Sequence, residues 1–325
     1  MQAQAVRIHS QGGTAVLRIE SIDVAAPGAG EVLIRNTAIG LNYQDIYHRS
    51  GLYPLPMPSG LGTEAAGVVE QVGPGVTGFK VGSRVCYAGG APGADATHRV
   101  MPAARIVATP DAISDEVAAA VMLKGMTVEY LLMRCRPGAR GELVLVHAAA
   151  GGVGLLAGQW GKHLGARMIG IASGRAKVEL ARANGYAACI DRGSEDVPAR
   201  LKELSGGAGF SVVFDSVGKA TFEQSLNALA PRGYFVSFGT TTGAPPPVEA
   251  ATLQKHGSLF FTRPTLVTYT AKAEELQASA QAVFELLAQG VLKVEIRQRY
   301  ALADIKQAHA DLEAGRTSGS SIIVP

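Results

Sequence analysis

Glycines spaced for phosphate binding follow a short apolar run in the middle of the chain. Residues 143–148 read Leu-Val-Leu-Val-His-Ala, and the pattern Ala149-x-Gly151-x-x-Gly154 comes directly after them. This is the spacing of a dinucleotide fingerprint whose first glycine is replaced by alanine. Gly151 would let the backbone approach a pyrophosphate, and Gly154 would let a helix pack closely on a strand. The pattern predicts a strand, a tight turn and a helix whose first N–H groups face phosphates, although such a run also occurs as a plain packing turn.

A second group of candidate residues is polar and aromatic and lies near the N-terminus. Its members are Asn42, Asp45, Tyr47, Arg49 and Tyr53. The spacing predicts a short helix over residues 42–50, followed by a proline-rich loop at 53–58. Amides and phenolic hydroxyls can hydrogen-bond a substrate, but each of these residues could equally face solvent or cap the helix.

Around the glycine turn, short apolar runs alternate with segments whose apolar residues have the period of a helix. Six such runs lie at 143–147, 167–172, 188–190, 211–215, 234–238 and 258–261. Short apolar runs separated by helices are typical of strands that are buried on both faces. The sequence therefore predicts an α/β fold with a doubly wound, six-stranded parallel sheet, and the glycine turn lies at its first strand-to-helix junction.

The rest of the chain has a different pattern. Residues 3–83 alternate in short segments between turn residues, which predicts a β-rich, barrel-like unit. The tail contains a further strand near 321–324, which has no place in the parallel sheet. We therefore expect one discontinuous domain, residues 1–124 with 262–325, and a dinucleotide-binding domain at 125–261.

Composition narrows the functional class. The 325 residues suffice for two domains, 47% of them are hydrophobic, and the formal net charge is only +3. The basic residues are scattered, so neither a nucleic acid nor a membrane surface is an expected partner. Three widely spaced cysteines and the lack of an apolar leader or span predict a reduced, cytoplasmic protein.

Several motifs together resemble the zinc-free quinone oxidoreductases of the medium-chain dehydrogenase/reductase superfamily, the group that includes zeta-crystallin. They are Ala-Ile-Gly-Leu-Asn at 38–42, Gly-Leu-Gly-Thr-Glu-Ala-Ala-Gly at 60–67, Leu-Lys-Gly-Met-Thr at 123–127, His-Ala-Ala-Ala-Gly-Gly-Val-Gly at 147–154, Phe-Asp-Ser-Val-Gly at 214–218, Val-Ser-Phe-Gly at 236–239 and Arg-Pro-Thr at 263–265. The resemblance covers essentially the whole chain. It implies a Rossmann sheet, a GroES-like barrel domain and an NADPH-dependent oxidoreductase.

The sequence predicts that no metal is bound. In the alcohol-dehydrogenase branch of the superfamily, a cysteine and a histidine hold zinc at the places where this chain has Asn42 and Thr63. Neither an amide nor a threonine hydroxyl is a good ligand for a cation that prefers thiolate and imidazole. His147, next to the glycine turn, is expected to be a structural residue at the end of a strand.

Without a metal to stabilise an alkoxide, the sequence favours reduction of an electron-poor acceptor such as a quinone. The catalytic candidates are Asn42, Tyr47 and Tyr53. We expect Asn42 and Tyr47 to donate hydrogen bonds to the developing oxyanion, with Tyr53 and Tyr130 as walls of the pocket. The resemblance also places Asn42 and Tyr47 at the nicotinamide end of the cofactor, so their role could be positioning alone.

The charge pattern favours NADPH over NADH. An NAD-binding sheet carries an acidic residue at the end of its second strand, but here that strand runs into Ser173, followed by Arg175 and Lys177. Arg192 follows the third strand, where the resembling family often has a tyrosine or histidine. A 2′-phosphate would meet cations at this place. Alternatively, Arg175 and Lys177 line the solvated start of a helix, and Asp191 pairs with Arg192.

The resemblance implies further cofactor residues. The full set is Asn42, Tyr47, Thr127, Tyr130, Ala150, Gly151, Gly152, Val153, Gly154, Ser173, Arg175, Lys177, Arg192, Ser216, Phe238, Gly239, Thr240, Arg263, Pro264, Thr265 and Arg316. A homodimer is also expected, because residues 258–261 form an apolar strand at the sheet edge, where the resembling family pairs its subunits.

The sequence is also compatible with two other functions. One is NADPH-dependent reduction of activated alkenes such as enones or alkenals, in which Tyr47 would place a proton on carbon. The other is a non-catalytic NADPH-binding protein, either structural or associated with RNA.

Overall fold

A computed structural model of the chain describes residues 1–136 and 140–325. The first of its two units contains residues 1–126, 270–288 and 294–325, and the second contains residues 127–269 and 289–293. The sequence prediction placed the boundaries at 124/125 and 261/262 and assigned residues 289–293 to the first unit.

The N-terminal part of the first unit is built mainly from strands. These are β1 (Gln2–Ile8), β2 (Arg18–Asp23), β3 (Glu31–Leu41), β4 (Ser59–Gly60), β5 (Glu64–Val72), β6 (Arg84–Ala88), β7 (His98–Pro102) and β8 (Val107–Ala108). The helix α1 (Tyr43–Ser50) lies between β3 and β4, and α2 (Asp115–Glu129) follows β8. The helix predicted over 42–50 is confirmed.

Strands alternate with helices through the second unit. They are β9 (Leu143–Val146), α3 (Gly152–His163), β10 (Arg167–Ala172), α4 (Arg175–Ala183), β11 (Ala188–Asp191), α5 (Val197–Leu204), β12 (Phe210–Asp215), α6 (Phe222–Ala228), β13 (Leu229–Ser237), α7 (Ala250–Lys255), β14 (Phe260–Thr262) and α8 (Leu266–Tyr269). All neighbouring strands are parallel, in the order β11-β10-β9-β12-β13-β14. The predicted doubly wound sheet of six strands is confirmed.

The C-terminal segment returns to the first unit. It contains α9 (Ala273–Ala288), β15 (Ile296–Ala301), α10 (Ile305–Glu313) and β16 (Ser320–Val324). β16 pairs antiparallel with β3, in a sheet of seven strands that also contains β15, β5, β6, β7 and β8. A smaller sheet has the order β2-β1-β4.

Each unit has its own apolar core. In the parallel sheet the central side chains of the strands, such as Leu145, Ile169 and Val213, are fully buried. This explains why these strands read as continuous apolar runs. In the first unit, Ile34, Val69 and Val85 belong to the core on the larger sheet.

The glycine turn after β9 is tightly packed. Ala148 has a positive φ of 53°, and Gly151 N donates a hydrogen bond to Ala148 O over 2.9 Å. A Cβ on Gly154 would lie 2.5 Å from Ala148 O and 2.7 Å from the carbonyl carbon of Ala149. The absence of a side chain at Gly154 is therefore what allows α3 to pack against the end of β9.

His147 belongs to a buried polar network, as expected of a structural residue. Ser225 Oγ lies 2.9 Å from His147 Nε2 and donates to Asp215 Oδ2 over 2.6 Å. Because the single hydroxyl hydrogen goes to the carboxylate, His147 Nε2 must be the donor to Ser225. These three residues are at most 2% exposed and do not form a nucleophilic triad, in which the hydroxyl would donate to the histidine.

Among the residues that the structure describes, no helix has both the length and the apolar character needed to cross a bilayer.

We expect Gly154→Ala to destabilise the protein. The added Cβ meets backbone atoms that cannot yield without moving α3 away from β9, so the free energy of unfolding should fall by about 1–3 kcal/mol. Gly78→Ala is the matched control, because a Cβ there meets nothing within 4 Å. Equal urea midpoints for the two variants would contradict the packing role of Gly154.

Candidate functional site

The candidate residues of the second unit lie at one edge of the parallel sheet. The carboxyl ends of β9, β10, β11, β12, β13 and β14 are followed respectively by residues 150–154, Ser173, Arg192, Ser216, residues 238–240 and residues 263–265. Since all six strands are parallel, these ends meet at the same edge. The structure therefore brings together most of the cofactor residues predicted for this unit.

The glycine turn is formed as a phosphate-binding turn requires. Gly151 is the extended residue before α3, with φ of −78° and ψ of 172°. The first hydrogen bond at the start of α3 runs from Leu155 N to Gly151 O. The N–H groups of Gly152, Val153 and Gly154 therefore have no acceptor within the helix. They are available to an anion, which the positive end of the helix dipole also favours.

Two cations and a hydroxyl are clustered beyond β10 and β11. Arg192 Nε donates to Ser173 Oγ, and the positive charge of Arg192 acts on Lys177. Partial burial and, secondly, the charge of Arg192 lower the pKa of Lys177 from its ordinary value. Like charges that act on each other repel, and a bound anion would relieve that repulsion.

Asp191 and Arg175 have other partners. Asp191 Oδ1 accepts hydrogen bonds from Gly174 N at 2.8 Å and Gly193 N at 3.0 Å, so its carboxylate ties two loops together. This corrects the alternative that it pairs with Arg192. Arg175 is 91% exposed and pairs with Glu179 along α4 at 2.7 Å, as expected for a solvated helix start.

The loops after β12 and β13 pack directly on each other. Phe238 N donates to Asp215 O over 2.8 Å, and a Cβ on Gly239 would lie 2.7 Å from Ser216 O. Thr240 is buried beside them. Close approach of the two loops explains why glycine is needed at position 239.

Tyr130 is packed into the second unit. Its ring stacks on Tyr269 with 4.6 Å between centroids and 13° between planes, and it is only 2% exposed. Burial raises the pKa of Tyr130, while the nearby charge of Arg263 opposes the rise. Thr127 hydrogen-bonds to it. The ring is thus a core element in this structure, with little surface available as a pocket wall.

In the first unit, Asn42 is the N-cap of α1, Tyr47 lies within α1 and Tyr53 lies in the loop after it. Asn42 caps the helix in a capping-box arrangement with Asp45, whose Oδ2 accepts from Asn42 N at 2.8 Å. The ring of Tyr47 lies 5.0 Å from that of Tyr53 and 5.3 Å from that of Tyr43. The predicted catalytic residues therefore lie together, with Asn42 at the start of the helix and Tyr47 and Tyr53 in a tyrosine cluster with Tyr43.

A buried arginine anchors this helix. Arg49 is 1% exposed, and its guanidinium donates to Gly12 O at 3.1 Å, to Glu313 Oε2 at 2.8 Å and to His309 Nδ1 at 3.3 Å. Because the guanidinium of Arg49 can only donate hydrogen bonds, Nδ1 of His309 must carry no proton and act as the acceptor. Burial and the charge of Arg49 lower the pKa of His309 to about 3.

The side chain of Asn42 is held by the carboxylate of Glu64. Asn42 Nδ2 donates to Glu64 Oε2 at 2.8 Å and to Gly40 O at 3.2 Å, so both amide hydrogens are used. Since both neighbours are acceptors, the amide orientation is fixed by chemistry. This corrects the expectation that Asn42 donates to an oxyanion, because in this arrangement Asn42 can offer only its oxygen.

Glu64 and Lys124 were missed as site residues at the level of sequence. Lys124 Nζ lies 3.0 Å from Glu64 Oε2, and Leu123 N donates to Glu64 Oε1 at 2.6 Å. Both charged side chains are buried. The sequence does contain an indication of this pair, because each charged residue lies within a run of small and apolar residues, at 60–67 and 119–126. Such runs are usually buried, and a charged side chain is buried only when it is paired.

A second buried acid, Asp95, acts on Asp45 of the capping box. Burial raises the pKa of Asp95 to about 7, and the charge of Arg99 limits that rise. Burial and then Asp95 also raise the pKa of Asp45. Both oxygens of Asp95 and the Thr63 hydroxyl are buried without a hydrogen-bond partner. Among described residues, no three His, Cys, Asp or Glu side chains are grouped to hold a metal.

Arg316 lies in the first unit and pairs with an acid of its own segment. Its Nη2 is 2.7 Å from Asp311 Oδ1.

The two parts of the chain match two family models. Residues 28–134 match the alcohol dehydrogenase GroES-like domain, and residues 152–288 match the zinc-binding dehydrogenase family. A parallel sheet with a glycine turn, on one chain with a GroES-like domain, defines the class of medium-chain dehydrogenases/reductases.

Known relatives match the chain over its full length. The chain is 49% identical over 324 residues to the quinone oxidoreductase of Pseudomonas aeruginosa, covering 99% of this chain and 100% of that protein. It is 45% identical to Escherichia coli quinone oxidoreductase in a crystal structure with NADPH, with a TM-score of 0.97 and coverage of 99% and 100%. It is 40% identical over 328 residues to 2-haloacrylate reductase of a Burkholderia species, covering 99% and 98%. The chain belongs to the quinone oxidoreductase family of this superfamily.

Stability should depend on pH through Asp95. Its folded pKa of about 7 lies above its unfolded value, so the folded state retains a proton that the unfolded state loses, and stability falls as pH rises towards 7. Between pH 5 and pH 8 the free energy of unfolding should fall relative to Asp95→Asn by about 2–3 kcal/mol. Urea titrations of both proteins measure this difference, and a difference that does not change with pH would contradict the assignment.

Proposed function

We propose that the chain is an NADPH-dependent quinone oxidoreductase that transfers hydride to a quinone without a metal. The observation that carries the proposal is full-length similarity to quinone oxidoreductases, one of which was crystallised with NADPH. The structure supplies residues whose chemistry fits this cofactor.

The fit to NADPH rests on donors and cations of the second unit. The N–H groups of residues 152–154 suit the pyrophosphate, and Ser173, Lys177 and Arg192 suit the 2′-phosphate. Arg175, which pairs with Glu179, contributes least. A dianion beside Lys177 and Arg192 relieves the repulsion between them, whereas the hydroxyl of NADH does not.

In the first unit, α1 and the tyrosine cluster orient the reacting groups. When bound, NADPH supplies a hydride, that is, a proton with two electrons. Tyr47 donates a hydrogen bond to the acceptor oxygen, and Tyr53 packs against the ring of Tyr47 and restricts its motion. A hydroquinone anion is a weak base, so solvent completes its protonation.

A second candidate function is reduction of activated alkenes. It is favoured by the full-length similarity to a 2-haloacrylate reductase. In that reaction a proton is added to carbon, so Tyr47 would act as an acid, and a Tyr47→Phe variant would lose more turnover with an enone than with a quinone.

We also propose a cytoplasmic homodimer. β14 is the edge strand of the parallel sheet, and Phe260 on it is 52% exposed and stacks on Tyr234 with 4.5 Å between ring centroids. An exposed apolar edge of this kind favours pairing with a second copy.

The acceptor is tested by following the absorbance of NADPH with a panel of acceptors in the presence of a chelator. We expect rapid oxidation with 1,4-benzoquinone and slow oxidation with a simple enone, and elemental analysis of the purified protein should find no stoichiometric zinc. Faster turnover of enones would favour alkene reduction. Tight NADPH binding without turnover of either acceptor would favour the non-catalytic alternative.

Cofactor preference is tested with three variants. Lys177→Ala and Arg192→Ala should each lower kcat/KM for NADPH by about ten- to a hundred-fold and leave NADH use nearly unchanged, since each charged hydrogen bond contributes roughly 1.5–3 kcal/mol. Arg175→Ala is the matched control and should change little. Equal losses with both cofactors would remove Lys177 and Arg192 from the phosphate site.

The dimer is tested by sedimentation at micromolar concentration. Phe260→Asp should shift the protein towards monomer, because a charge at the apolar edge opposes pairing. Val81→Asp, at an apolar residue of the first unit that is 63% exposed, should leave the dimer intact. A wild-type protein that sediments as a monomer would refute the proposal.

A further inference from the structure

The glycine turn contains one residue in an unfavourable conformation. Ala148 has a φ of 53°, in the left-handed region where the Cβ of an alanine crowds its own backbone. Its side chain is exposed, so packing of the methyl group does not compensate for this cost. A residue of this kind keeps its conformation only where the surrounding structure holds it.

The conformation of Ala148 determines where the glycine turn lies. Ala148 O accepts a hydrogen bond from Gly151 N at 2.9 Å, and a Cβ on Gly154 would lie 2.5 Å from the same oxygen. The carbonyl group of Ala148 is therefore packed against the first turn of α3. Rotation of Ala148 out of the left-handed region would withdraw this oxygen and shift the N–H groups that are available to an anion.

Hydrogen bonds hold both neighbours of Ala148. Ala149 N donates to a carbonyl oxygen of β10, and His147 N donates to one of β12, both at 3.0 Å. The imidazole of His147 adds a third bond, from Nε2 to Ser225 Oγ at 2.9 Å. Of the three, only this side-chain bond can be removed by a substitution without loss of a backbone group.

Ser225 is itself fixed, because its hydroxyl donates to Asp215 Oδ2 at 2.6 Å. The same carboxylate accepts from two backbone N–H groups of the following loop and from the hydroxyl of Thr221, so it cannot turn away. His147 is 2% exposed, so water does not compete for its imidazole. The side chain of His147 is thus attached to a point that is fixed at its other end.

We propose that His147, held through Ser225 by the Asp215 carboxylate, is a positioning residue that keeps Ala148 in its left-handed conformation and the glycine turn in the form that receives a pyrophosphate. The inference rests on the proposed function only in that the ligand is a dinucleotide phosphate. It gives His147 a role in ligand affinity as well as in the core.

The test measures binding by calorimetry, with two ligands that lack the nicotinamide half. Both 2′-phospho-ADP-ribose and adenosine 2′-monophosphate carry the 2′-phosphate, but only the first has the pyrophosphate. The ratio of their dissociation constants therefore reports on the glycine turn. His147→Leu, which removes the donor to Ser225, should lower the preference for 2′-phospho-ADP-ribose by about three- to ten-fold, the effect of one neutral hydrogen bond.

Two further variants separate positioning from a general loss of packing. His147→Gln retains an N–H donor for Ser225 and should keep the preference of the wild type. Glycine adopts a positive φ without steric cost, so in the Ala148→Gly background the turn no longer depends on His147. His147→Leu/Ala148→Gly should therefore show the same preference as Ala148→Gly alone. The affinity for adenosine 2′-monophosphate should be equal in all variants.

If His147→Leu does not fold, Ser225→Ala tests the same bond, because it removes the hydroxyl and leaves the imidazole in place. It should lower the preference as His147→Leu does. Ser237→Ala is the matched control and should change nothing, since the buried hydroxyl of Ser237 has no hydrogen-bond partner among the described residues.

Three results overturn the inference. The first is a wild type that binds 2′-phospho-ADP-ribose no more tightly than adenosine 2′-monophosphate. The second is an unchanged preference in folded His147→Leu or Ser225→Ala. The third is an equal loss from His147→Leu with and without Ala148→Gly, because the effect would then not pass through Ala148. A wild type that shows the expected preference but reduces no quinone refutes the proposed function alone.

Discussion

The buried carboxylate of Glu64 links four elements of the first unit. It begins β5, lies against Gly40 of β3, accepts from the backbone and the ammonium of α2, and holds the residue that caps α1. A charge removed from water is stable only when its partners are fixed. The position of α1, which contains Tyr47, therefore depends on the hydrogen bonds and the ion pair of the Glu64 carboxylate.

A second buried carboxylate has a comparable role in the second unit. Asp215 ends β12 and accepts from the N–H groups of Val217 and Gly218 and from the Thr221 hydroxyl. Ser225 connects the same carboxylate to His147 at the end of β9. In both units, a satisfied carboxylate at a strand end fixes the backbone next to loops that carry ligand-binding candidates. Such loops are held in place before any ligand binds, which lowers the entropic cost of binding.

The sequence predicted the parts of the fold that depend on local patterns. Apolar runs of three to six residues with helices between them are sufficient to predict a parallel sheet, and the small residues at 148–154 predict its phosphate turn. Long-range contacts between polar side chains have no such periodicity. The Glu64–Lys124 pair spans 60 positions and the Arg49–Glu313 pair 264, so neither follows from a local pattern.

The cations near the proposed 2′-phosphate site show a second kind of feature that the sequence could not predict. The sequence alone does not distinguish the cations Arg175, Lys177 and Arg192. In the structure, Arg175 pairs with Glu179 in solvent, whereas the charge of Arg192 acts on Lys177 and lowers its pKa. Likewise, the amide of Asn42 reads as either donor or acceptor until Glu64 and Gly40 are seen to occupy its hydrogens. The residue types give the possible donors, acceptors and charges. The residues that surround each side chain in the fold determine which of these roles it takes.

The central claim, metal-independent hydride transfer to a quinone, is tested most directly by a single turnover in the presence of a chelator. NADPH deuterated at the transferred position of C4 is mixed with a stoichiometric amount of 1,4-benzoquinone and the protein. The account predicts oxidation of one NADPH for each hydroquinone formed, with a primary isotope effect on the protein-dependent rate. Oxidation no faster than in the absence of the protein, or oxidation that stops when metal is chelated, would contradict it.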